Sequence, residues 1–179
     1  MDTIRYNRAL ARNLAELQKA LLIRATLLGI EEHKYTTNIF IRIIKESLSN
    51  DHMAHAIKVF EQNSKSASFW YLYRTNQVSI DKYARKVRYT ISNLQSVSDK
   101  LKIIRNGTHF HIDKNGVLAP KQIWSGAALT GKELGKAIDF AWGALGEIQL
   151  SKGREVPSLL EFTPEIALAA IERIEKRKP

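Results

Sequence analysis

The sequence predicts an all-α bundle of about six helices. Three observations carry that reading. Apolar residues recur at helical spacing along most of the chain. Cap and stop residues punctuate these stripes, as at Asn106-Gly107, Thr130…Glu133 and Thr163-Pro164. No βαβ pattern interrupts them. The 179 residues suffice for one well-buried core, so residues 1–179 are expected to form a single domain, with 151–179 as a C-terminal linker and helix.

Residues 3–28 read as the first helix. Leu10, Leu14, Leu17, Leu21 and Leu28 fall on a near-heptad seam, which suits bundle packing or a helical dimer contact. Gly29 is expected to end it, and Glu31-Glu32-His33-Lys34 to connect onward. A second helix is predicted over 37–48, with Ile39, Phe40, Ile43, Ile44 and Leu48 inward. Ser49-Asn50-Asp51 supplies a break and N-caps for a short third helix carrying Met53, Ile57 and Phe60. His52 and His55 stand there at i, i+3, a spacing able to hold a metal. No carboxylate pattern completes a site, so they read as surface histidines, and neither metal nor cofactor is expected.

Residues 63–66 are a polar linker. The aromatic run Phe69-Trp70-Tyr71-Leu72-Tyr73-Arg74 has two readings: a stacking platform for bases with Arg74 alongside, or a short segment that plugs the bundle. The second is favoured. A long helix then starts at Ser79 as N-cap and carries Ile80, Ala84, Val87, Ile91, Leu94, Val97 and Leu101 on one stripe. Lys82, Arg85, Lys86 and Arg88 lie away from that stripe, as a phosphate track or simply a solvated face.

The long helix leads into Ile104-Arg105-Asn106-Gly107-Thr108-His109-Phe110-His111-Ile112-Asp113. Arg105 is eleven residues past Leu94, so it projects from nearly the same face. A lone arginine is costly to bury, so it either leaves the core at the helix end or meets a negative partner. Asn106-Gly107 reads as the helix C-terminus. If the chain is extended beyond Gly107, His109, His111 and Asp113 point to one side, and Phe110 and Ile112 to the other.

Arginine offers a fork of donors matched to phosphate, and histidine exchanges protons near neutrality. Together they suffice for metal-free RNA cleavage. The alternative is that Arg105 pairs with a carboxylate, Asn106-Gly107 caps the helix and the histidines are solvated.

Beyond the cluster, Lys114-Asn115-Gly116 is a turn and 117–124 a connector containing Pro120. Residues 126–133 match G-x-x-x-x-G-K, but Glu133 stands where a phosphate loop needs a hydroxyl. Thr130 and Glu133 read instead as a capping box. The helix they open turns Leu134, Ile138, Ala141, Leu145 and Ile148 inward and ends at Ser151-Lys152-Gly153. Thr163-Pro164 opens the last helix, with Ile166, Ala170 and Ile174 as a modest apolar face.

Composition sets the outer bounds. A net charge of +10 favours polyanions such as nucleic acid. Without cysteine there are no disulfides and no thiolate metal sites. The N-terminus has no signal-peptide core and no apolar run is long enough to span a membrane, so a cytoplasmic protein is expected.

Arg105-Asn106 followed by His111, with five residues between the arginine and that histidine, resembles the Arg-polar-His motif of HEPN domains. The wider run 101–114 (LKIIRNGTHFHIDK) is similar to AbiU-type abortive-infection HEPN-like proteins, whose pattern is R-(N/D)-x-x-x-x-H-x-D-K; Asp113 and Lys114 match its tail. The resemblance implies a helical bundle that homodimerises, with Arg-His motifs lining a cleft between protomers. It implies a metal-independent endoribonuclease acting as a toxin or phage-defence effector, or a relative that has lost catalysis and only binds RNA, a nucleotide or a protein. An antitoxin or other protein partner is implied with the toxin role. Carried over, Arg105 binds phosphate, Asn106 is its polar partner and His111 is the general acid/base. His109, Asp113 and Lys114 are accessory candidates, and Arg74, Lys82, Arg85, Lys86 and Arg88 candidates for RNA contact. Asp113 departs from the branch that has a tyrosine there, so silencing by nucleotide transfer to a tyrosine is not implied.

Overall fold

Leu10, Leu14 and Leu17 stack on one face of the first helix and are fully buried, which fixes how that helix sits in the bundle. The computed structural model describes residues 2–32, 39–108, 120–159 and 163–176. All regular structure among them is helical, in eight helices. Helix α1 (Thr3–Glu32) starts at Asp2, whose Oδ1 accepts from the backbone N–H of Ile4 and Arg5 at 3.0 and 3.1 Å. It does not stop at Gly29 as expected. Gly29 and Ile30 are buried, and packing there outweighs the roughly 1 kcal/mol that glycine costs in a helix.

Helix α2 (Ile39–Phe60) runs antiparallel to α1, as the ion pairs Lys45–Glu31 and Lys58–Glu16 show. It is one helix, not two. Ser49 does not break it: its Oγ bonds back to the Lys45 carbonyl at 2.8 Å instead of capping a new helix. Continuity resets the inward face. Ile41 and Val59 are eighteen residues apart, hence in phase, and both are buried. Ile39 and Ile43 then fall nearly opposite and are exposed, as is Phe40, contrary to the inward assignment.

Helix α3 (Phe69–Thr75) plugs the bundle. Phe69, Trp70 and Leu72 are buried, and the Trp70 indole N–H donates to Ser98 Oγ at 3.0 Å. Phe69 packs tilted on Phe60 and Phe140, with ring centroids 6.3 and 6.2 Å away. These rings are core, not a surface for stacking bases.

The expected long helix is two: α4 (Gln77–Lys86) and α5 (Ile91–Gly107). The chain turns at Arg88, with φ of 54°. Thr90, not Ser79, is the effective cap: its hydroxyl accepts from Asn93 N–H at 3.2 Å. The turn lays Tyr89 on Phe140, with ring centroids 4.7 Å apart, and burial pushes the Tyr89 phenol up to about 12. α4 crosses the next-to-last helix at Gly143, where an added Cβ would lie 1.9 Å from the Tyr83 hydroxyl.

Part of the expected connector is helix α6 (Pro120–Ala127), opened by proline at its first position. It packs on the end of α5, with Ile123 seated on Gly107 so closely that a Cβ there would lie 2.8 Å from Ile123 Cδ1. Helix α7 (Gly131–Ser151) has the predicted capping box and lies at the centre of the bundle. Leu134, Ile138, Ala141, Leu145 and Ile148 are all buried, as the spacing predicts. Lys100 from α5 bonds Glu133 at 2.8 Å; with the Thr130 backbone and hydroxyl bonds, this brings the Glu133 carboxyl down to about 2. Arg24 of α1 holds Asp139 of α7 through both oxygens, at 2.6 and 3.1 Å. Helix α8 (Pro164–Lys176) packs along α1 and leaves Ile166 and Ala170 exposed. No helix among the described residues is long and apolar enough to cross a membrane.

Candidate functional site

Arg105 is the third residue from the end of α5, just past the buried Leu101 and Ile104. Its side chain is 35% exposed. Both expectations for it are met together: it leaves the core at a helix end and meets a carboxylate. Nη1 pairs with Glu61, the first residue after α2, and Nε donates to Asn106 Oδ1 at 3.0 Å. Nη2 keeps its donors free of any partner among the described residues. The helix ends at Gly107 as predicted. Thr108 follows, buried, its hydroxyl bonded to the Ile104 carbonyl at 2.7 Å. His109, His111, Asp113 and Lys114 lie outside the described residues.

Two features near Arg105 were not anticipated. The first is Glu61, which nothing in the sequence pairs with Arg105. The second is a groove. A cavity of about 360 Å³ opens between α1, the end of α2 and the 61–68 loop, lined by Arg12, Asn13, Glu16, Lys58, Glu61 and Ala67 among others. A second, of about 340 Å³, continues it towards the start of α1 past Arg5, Arg8 and Arg12. Glu61 joins the groove to Arg105. Asn13 fixes its wall, with the side-chain amide donating to the carbonyls of Ala9 and Ala67 at 2.8 and 2.7 Å. Arg5, Arg8 and Arg12 occupy one face of α1 at i, i+3, i+7. That spacing is legible in the sequence, but the leucine seam dominates the same helix.

The acids of the groove are already engaged. Asp2 caps α1 and lies 3.8 Å from Arg5. Glu16 Oε2 is 2.5 Å from His55 Nδ1 and 3.4 Å from Lys58 Nζ. Burial alone would raise the Glu16 carboxyl, but the His55 hydrogen bond and the Lys58 charge outweigh it and hold it below the usual range. Arg8 and Arg12 are exposed and make no ion pair among the described residues.

The reading of His52 and His55 as surface histidines is overturned. Because α2 is continuous, His55 lies within about 40° of Ile41 on its buried face. It bridges Glu16 and Asp51, the latter at 3.5 Å. His52 is half-buried, and its Nε2 is enclosed with no hydrogen-bond partner. Burial, aided by the Arg24 and His55 charges, lowers it to about 4. Among the described residues, no three His, Asp or Glu side chains come together in a way that would hold a metal.

Arg74, Lys82, Arg85, Lys86 and Arg88 are all exposed. Lys86 pairs with Glu147 of α7 at 2.5 Å. Arg88 precedes the start of α5 and Arg105 lies near its end, so the helix separates them by about 21 Å. No protein-family model, no curated protein and no solved structure matches the chain.

Proposed function

We propose that the protein is a HEPN-type metal-independent endoribonuclease, acting in the cytoplasm as a toxin or phage-defence effector. One observation carries the reading. A half-exposed arginine stands at the end of α5, its guanidinium oriented by Asn106, and in sequence it leads directly into the two histidines. In this reading Arg105 contacts the phosphate. The ribose 2′-oxygen attacks the adjacent phosphorus, the bond to the 5′-oxygen breaks, and the products are a 2′,3′-cyclic phosphate and a 5′-hydroxyl. His111 takes the proton from the 2′-hydroxyl or gives one to the leaving oxygen. Arg105 stabilises the charge that builds on the phosphoryl oxygens. His109, Asp113 and Lys114 are accessory, and a homodimer brings two such motifs to one cleft.

A second reading, a non-catalytic module that binds RNA, a nucleotide or a protein, is favoured by the Glu61 ion pair, which occupies one edge of the guanidinium. The separating experiment is cleavage of end-labelled total RNA in EDTA by wild type, Arg105→Ala, His111→Ala and Glu61→Gln, each confirmed folded by circular dichroism. The nuclease reading expects cyclic-phosphate ends from wild type, a loss of at least about 100-fold in the first two variants, and activity retained or raised in Glu61→Gln. RNA binding without cleavage in all four would leave the binding module.

A further inference from the structure

We propose that the groove along α1 is the track for the phosphate backbone of single-stranded RNA, with Arg8 and Arg12 as its main contacts and Arg105 at its end. This rests on the RNA reading above and extends it to where the substrate lies. Glu61 links the groove to Arg105: it lines the larger cavity and pairs with Arg105.

Charge within the groove points the same way. Asp2, Glu16 and Glu61 are each held by a cap, a histidine, a lysine or an arginine. The groove charges left without a counter-ion among the described residues are the Arg8 and Arg12 guanidiniums. They are four residues apart on one face, about 6 Å along the helix axis, so both can reach one strand. A guanidinium fork suits phosphate oxygens, and an exposed pair without counter-ions pays little desolvation to bind them.

Shape selects a single strand. Two linked recesses of about 360 and 340 Å³ can admit one backbone and a turned-out base, whereas a duplex would rest on the rim. The α4 stretch differs in its place and in part of its charge. It lies at the other end of α5, and its Lys86 is already paired with Glu147.

The test is fluorescence anisotropy of a fluorescein-labelled oligouridylate across a salt series, using the full chain. Wild type is compared with Arg8→Gln/Arg12→Gln, with Arg8→Lys/Arg12→Lys, and with Lys82→Gln/Arg85→Gln as a control of equal charge change. All four exchanged positions are exposed, so folding should survive, and thermal melts check it. The groove Gln variant should bind on the order of tenfold more weakly, and its slope of log K against log salt should shrink by about 1.4. The Lys variant should recover most of the binding, and the α4 variant should match wild type. Equal weakening by the groove and α4 variants would replace the track with diffuse attraction. Unchanged binding by the groove variant, with total RNA still cleaved, would overturn the track alone. No binding by wild type would overturn both the track and the reading beneath it.

Discussion

Leu14, Leu21 and Leu28 repeat every seven residues on α1, so they lie within about 40° of one another around the helix. Their fates differ. Leu14 is 0% exposed, Leu21 is half-buried and Leu28 is 45% exposed. The residue type, the helix and the phase are the same; only what covers them changes. Leu14 belongs to the core that α3, α5 and α7 complete around Phe69, Leu94 and Ile138. Leu28 lies in the last turns of α1, beyond that core. A hydrophobic stripe therefore marks the face a helix offers, while its burial depends on which neighbours reach that face: Ile30, on the other side of the same turn as Leu28, is 1% exposed.

The comparison breaks most visibly under one substitution made twice. Leu14→Ala should remove about 2–5 kcal/mol of unfolding free energy, because the cavity it leaves is enclosed. Leu28→Ala should change it by no more than about 0.5 kcal/mol. Urea titrations of the two variants against wild type measure both. Equal losses would mean that α1 is covered along its whole length.

The same distinction explains what the sequence made legible. The all-α class, the α7 stripe with its Thr130–Glu133 capping box, the α3 plug and the α5 terminus at Asn106-Gly107 all rest on local signals, and the structure has them. The errors arose where a local signal was overridden. Gly29 and Ser49-Asn50-Asp51 look like stops, yet Ile30 packs into the interior, and the Ser49 hydroxyl bonds back to Lys45 within a continuous α2. At Val87-Arg88-Tyr89 an unbroken apolar period hid a turn that seats Tyr89 on Phe140. Arg105 was legible as a polar residue leaving the core, but Glu61, forty-four residues away, was not, because no periodicity encodes a contact between separate helices. His55 was misplaced for the same reason: its partner Glu16 is on another helix.

A prediction of intermediate size concerns His52, which lies between the two regimes: half-buried, with Nε2 enclosed and unbonded. Its value in the fold is about 4, below the ordinary 6.5. As pH falls below about 6.5, the unfolded chain takes up this proton before the folded one does. The stability attached to the neutral ring is therefore complete above about 6.5 and drains away down to about 4. Between pH 7.5 and 5 the expected loss from this group is roughly 1–2 kcal/mol, allowing for partial solvent screening. His52→Gln should flatten that part of the pH–stability curve, measured by urea denaturation at several pH values. A variant curve parallel to wild type would assign the acid slope to other groups.

The smallest expected effect is at the outer corner, where Ile43 of α2 is exposed near the end of α1. Ile43→Ser should move the stability of the chain by no more than about 0.5 kcal/mol, since the side chain gives up little burial. Its value lies in the concentration dependence. Thermal melts of wild type and variant over a wide range of protein concentration should differ by the same small amount throughout. If a second copy of the chain covers this corner, association stabilises only the wild type, and the gap in Tm widens as concentration rises. Parallel melts would place Ile43 with Leu28 as ordinary exposed surface. A widening gap would show that the corner, like the Leu14 region, is covered, but by another molecule.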